Sequence, residues 1–74
     1  MMMTKINGLT IVSVHNESLD GTRNTAIIHR DFDDSYVVVR NVTTERGKIE
    51  WSHAVQYNIG SLTEATQLFI QKIS

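Results

Sequence analysis

Ile49-Glu50-Trp51-Ser52-His53-Ala54-Val55-Gln56-Tyr57-Asn58-Ile59 decides the fold. Its odd positions carry Ile49, Trp51, His53, Val55, Tyr57 and Ile59, and its even positions carry Glu50, Ser52, Ala54, Gln56 and Asn58. Strand side chains alternate between two faces, so the pattern predicts one continuous half-buried strand over 49–59, as in an antiparallel sheet covered on one side. Gly60-Ser61-Leu62-Thr63-Glu64 follows directly, and Ser61 and Glu64 have the spacing of a capping box that opens a helix. Within that helix, Leu62, Ala65, Phe69 and Ile73 recur at helical spacing, with Leu68 and Ile70 widening the stripe. The short link through Asn58-Ile59-Gly60 returns this helix, Ser61 to Ile73, over the strand it leaves, with Trp51, Val55 and Tyr57 as its expected partners.

Working back from this stretch, Tyr36-Val37-Val38-Val39-Arg40-Asn41-Val42 is the most β-branched run of the chain, and Thr43 to Lys48 closes a hairpin between it and the alternating strand. Asp31-Phe32-Asp33-Asp34-Ser35 is a turn by composition, preceded by a strand from Thr25 to about Arg30. Asn16 to Asn24 is a loop centred on Asp20-Gly21, and Leu9 to His15 is the first strand, with Lys5-Ile6-Asn7-Gly8 leading in. The expected fold is one α+β domain: a four-stranded antiparallel β-β-β-β-α meander with one C-terminal helix packed on one face.

A helix about 10 Å wide does not cover four strands spaced about 4.8 Å apart, so apolar sheet is left over. The run at 36–39 sharpens the point, because Tyr36 and Val38 face one way while Val37 and Val39 face the other. With no proline in the chain, sheet edges are guarded by charge and bulges alone. These features predict a homodimer formed through sheet surface or a free edge.

Composition narrows the function. The chain has 74 residues, a size at which about 60 % of the unfolded surface is buried on folding. It has no cysteine, which removes disulfides, thiolate zinc sites and thiol redox chemistry. Seven basic and eight acidic side chains give a net charge of −1, so no global field draws it to phosphate backbones or anionic membranes. Three methionines and Lys5 open the sequence without an apolar run of signal-peptide length, and no stretch is long enough to cross a bilayer. A soluble, cytoplasmic chain is expected.

His29, Asp31 and Asp33 fall on one side of an extended backbone, where an imidazole and two carboxylates suit a divalent metal. A metal-dependent nuclease would need further carboxylates, such as Glu45 or Glu50, brought alongside. Aspartates in a hairpin connection are ordinary turn formers, so the expectation is no metal, no cofactor and no catalysis. His53 is expected as a packed residue beside Trp51 and Val55. His15 carries no signal, and the four glycines form no phosphate-binding motif.

What remains is surface. The preferred reading is a non-enzymatic protein-binding module that contacts its partner through Phe32, Asp31, Asp33, Asp34, Val37 and Val39, because an aromatic ringed by acids suits a partner's pocket. A stoichiometric inhibitor or adaptor is its expected form, with phage or mobile-element proteins that block host defence enzymes as the setting. The second reading is nucleic-acid binding through Arg30, Arg40, Arg46, Lys48 and Tyr36.

Overall fold

The computed structural model describes residues 4–45 and 47–74 of the chain, which form seven strands and one helix. In chain order these are β1 (Thr4–Ile6), β2 (Leu9–Asn16), β3 (Asn24–Arg30), β4 (Ser35–Arg40), β5 (Thr43–Glu45), β6 (Lys48–Glu50), β7 (His53–Ile59) and α1 (Leu62–Ile73). The α+β class and the C-terminal helix agree with the sequence reading. The main antiparallel sheet has five strands in the order β1-β2-β3-β4-β7, and β5 and β6 pair separately as a small hairpin.

Two differences in strand assignment have identifiable causes. The lead-in at Lys5-Ile6-Asn7-Gly8 is a hairpin: Asn7 and Gly8 take φ values of 53° and 79°, the two left-handed positions that turn one strand tightly into the next. The alternating stretch is also not one strand. It breaks at Trp51-Ser52, where Ser52 N–H donates to the Arg40 carbonyl at 3.2 Å and the Asn41 side chain donates to Ser52 Oγ at 2.8 Å. On one side of the break β6 pairs with β5; on the other β7 pairs with β4.

The sheet has a core on each face. On one, α1 lays Ala65 and Phe69 over Ile27, Val38 and Ile59, with Val55, Tyr36 and Leu68 packed around them. Ser61 caps this helix, its Oγ accepting the Glu64 N–H at 3.2 Å. On the other face, Val42 and Ile49 carry the β5-β6 hairpin down onto Ala26, Ile28, Val37 and Val39. The strand apolar on both sides therefore has two partners within its own chain. Val37, Val38 and Val39 have no exposed surface, which corrects the expectation of Val37 and Val39 as contact residues.

Trp51 packs with the hairpin-side core and not beneath the helix, Tyr57 is about half exposed, and His53 is exposed. Burying apolar area on both faces matters in a chain this small, because each face alone offers too little. The outer strands are guarded without proline. β1 is three residues long and carries Lys5, and β7 bulges twice, since two steps from Tyr36 to Val38 span three from Ile59 to Gln56, and one step from Val38 to Val39 spans two from Gln56 to Ala54. Among the described residues no helix is long and apolar enough to cross a membrane.

Candidate functional site

At one end of the sheet the β3–β4 connection, the β1–β2 turn and the end of β7 converge. Arg30 closes β3 opposite Ser35 of β4, and the four residues between them form the tip. Asp33 shapes it from within. Its Oδ1 accepts from the Ser35 backbone at 3.2 Å and from the Ser35 hydroxyl at 2.6 Å, while its Oδ2 accepts from Arg30 Nη2 at 2.9 Å. The Ser35 hydroxyl and the nearby guanidinium hold the Asp33 carboxyl below its ordinary range. Arg30 also donates from Nε and Nη2 to Ser35 Oγ at 3.1 and 2.9 Å, and from Nη2 to Asn58 Oδ1 at 2.6 Å. The Asp31 N–H donates to the Gly8 carbonyl at 2.9 Å, tying the tip to the neighbouring turn.

So held, the guanidinium lies between two rings, 5.0 Å from the centre of Phe32 and 5.7 Å from that of Tyr57. Phe32 is 80 % exposed and Tyr57 49 %. The result is a prearranged pad: two accessible aromatics separated by a cation whose side chain is only 15 % exposed. The other flank is ionic. Lys5 Nζ sits 2.7 Å from Asp31 Oδ2, and the His29 ring has Asp31 Oδ1 at 3.3 Å from Nδ1 and Asp34 Oδ1 at 2.7 Å from Nε2. Lys5 first, and His29 second, lower the Asp31 pKa. The His29 ring also leans on Tyr36, centre to centre 5.0 Å.

The alternative trio of His29, Asp31 and Asp33 is not assembled. Asp33 turns to Arg30 and Ser35, away from His29, and Asp34 takes the place beside the imidazole. Each imidazole nitrogen already faces a carboxylate oxygen, and among the described residues no His, Asp and Glu side chains form a metal-holding group.

The basic residues are not gathered either. Arg30 is enclosed by the tip, whereas Arg40 lies at the far end of β4 with a buried Nε that finds no partner among the described residues. Lys48 is on the small hairpin, Tyr36 is half-buried against the helix-side core, and Arg46 lies outside the described residues. Of the expected protein-contact residues, Phe32, Asp31, Asp33 and Asp34 come together, and Val37 and Val39 are inside. Tyr57 is the member that sequence reasoning missed. Its place in an apparent alternation suggested burial, and only the bulges of β7 release it.

No protein-family model, curated protein or solved structure matches this chain.

Proposed function

We propose that the chain acts by binding another protein without catalysis, as a stoichiometric inhibitor or adaptor, with Phe32 as the anchor. The observation that carries this reading is an aromatic ring 80 % exposed at the tip of a connection whose backbone and neighbours are fixed by hydrogen bonds. An exposed ring on a rigid tip loses little conformational freedom on docking, so most of its burial is retained as binding energy. Tyr57 broadens the pad, and the accessible carboxylate of Asp34, whose side chain is 90 % exposed, favours a basic rim on the partner. The sheet face opposite the helix is filled by the β5-β6 hairpin, so a homodimer through that face is not favoured, and a strand edge is the surface we propose for any self-association.

Affinity capture from the native host, with wild type and Phe32→Ala side by side, tests the proposal. One protein retained near stoichiometrically by wild type and released by Phe32→Ala is the expected result. A salt series with single- and double-stranded DNA and RNA is the counter-test. Submicromolar affinity that falls steeply with salt and disappears on replacing Arg30 and Arg40 would reject the protein partner in favour of nucleic acid.

A further inference from the structure

Away from the tip, β5 and β2 enclose a groove of about 550 Å³. Its floor is Ile11 and Val14, which stand opposite Ile28 and Ala26 of the hairpin-side core and so project toward the hairpin. Its walls are β5 on one side and Asp20, Gly21, Thr22 and Asn24 on the other.

The backbone of β5 makes this groove specific. Glu45 and Lys48 flank a two-residue connection and therefore form a hydrogen-bonded pair, as do Thr43 and Glu50 two positions on. The N–H and C=O of Thr44 consequently point away from β6. Two residues earlier, Val42 presents the same two groups to that side, and the Asn24 side chain takes both: Val42 N–H donates to Oδ1 at 2.7 Å, and Nδ2 donates to the Val42 carbonyl at 3.0 Å. A carboxamide thus pairs with Val42 as an adjoining strand would. Among the described residues, nothing continues this pairing at Thr44. Among the described residues the lining includes Asp20 and Glu45 and no basic side chain, although Lys48 faces Glu45 across the hairpin.

We propose that the groove binds an extended basic segment of another protein as a third strand on the β5-β6 hairpin. The segment bonds through its main chain to Thr44, sets a small apolar side chain on Ile11 and Val14, and places a lysine or arginine near Asp20 and Glu45. Main-chain pairing gives the affinity and the acids select the sequence, the usual division of labour when a strand is added to a sheet edge. This surface is separate from Phe32, and the proposal stands or falls independently of it.

The probe is a capped hexapeptide of alternating lysine and valine, titrated into the isotope-labelled full chain and followed by amide NMR. Shifts centred on Thr43 to Glu45 and Val14 are expected, with amide exchange at Thr44 slowed at least about tenfold at saturation. A glutamate-for-lysine version should bind at least about tenfold more weakly, and a version with alternate prolines should not bind. Thr44→Pro removes the outward N–H but no β5-β6 bond, a position where a strand tolerates proline, and should abolish binding. If that variant does not fold, Val14→Lys, on the 48 % exposed floor residue, makes the same test. Phe32→Ala should bind the peptide like wild type. No binding at millimolar peptide, shifts scattered over the surface, or folded Thr44→Pro or Val14→Lys that binds like wild type would each overturn the proposal.

Discussion

Arg30 and Asn58, 28 positions apart in the chain, are joined by a 2.6 Å hydrogen bond from Nη2 to Oδ1. Asn58 adopts φ 58°, a left-handed backbone that asparagine tolerates better than most residues, and it follows Tyr57 directly. One residue thus anchors the guanidinium and sits beside one of the two rings that flank it. The tip is a tertiary structure and not a loop awaiting a partner.

Stability and binding should separate at this tip. Arg30→Met leaves Asp33 and Asn58 without their shared donor and should cost about 1–3 kcal/mol in urea denaturation. Phe32→Ala removes an exposed ring and should stay within about 0.5 kcal/mol of wild type. Equal losses for both would mean that Phe32 is part of the core and not a presented side chain.

Asn24 is the second polar pivot. It is 5 % exposed, and its carboxamide serves Val42 twice and the Gly21 carbonyl once, at 2.9 Å. Asn24→Ala orphans these buried groups and should cost about 2–4 kcal/mol, with the β5-β6 hairpin losing exchange protection first. Asn24→Asp keeps the acceptor but loses both donated bonds and buries a charge, so it should be no better. Retention of hairpin protection in either variant would show that Val42 and Ile49 hold the hairpin unaided.

Arg40 presents the opposite case. Among the described residues its buried Nε finds no partner, so that N–H carries an uncompensated desolvation cost. Arg40→Met keeps most of the stem's packing and should leave the melting temperature unchanged or raised. A clear drop would place a bonding partner on that guanidinium.

The helix and the paired β3 and β4 were legible because their signals are local: Ser61 at a cap, Phe69 on a stripe, Val37 to Val39 between turns. Phe69→Ala should accordingly cost about 3–5 kcal/mol and Ser61→Ala about 1 kcal/mol in thermal denaturation. β1 is legible in principle, since Asn7-Gly8 is the strongest kind of two-residue hairpin signal. The division of the alternating stretch is not. Ile49 and Trp51 share the hairpin-side core with Ala54, while Val55 and Ile59 face the helix, so the side-chain phase slips by one residue across the break. The cause is tertiary: Asn24 captures Val42 from 18 positions away, and no local pattern encodes that. At the candidate site the acids and Phe32 could be read from turn composition, whereas the roles of Tyr57 and Asn58 depend on bulges that change which way a strand residue points.

The loop between β2 and β3 predicts a specific response to acid. Asp20 Oδ1 accepts from the Thr22 N–H at 3.1 Å, the Thr22 hydroxyl at 2.8 Å and the Ser18 hydroxyl at 2.8 Å, so the loop is wound around an ionised carboxylate. The Thr22 N–H, then the Ser18 and Thr22 hydroxyls, lower its pKa from 3.8 to about 2. A depressed folded pKa means that the contribution is complete above the unfolded value and is lost as pH falls from 3.8 toward about 2. Asp31 and Asp33, also lowered, act in the same direction. Asp20→Asn should therefore be less stable than wild type at about pH 5, with the gap in melting temperature closing toward the low end of that window. Carbon NMR of the Asp20 carboxyl should titrate with a midpoint near 2 in the folded chain. A midpoint near the ordinary 3.8, or melting curves that run parallel down the pH series, would show that the hydroxyls and the Thr22 N–H do not grip this carboxylate.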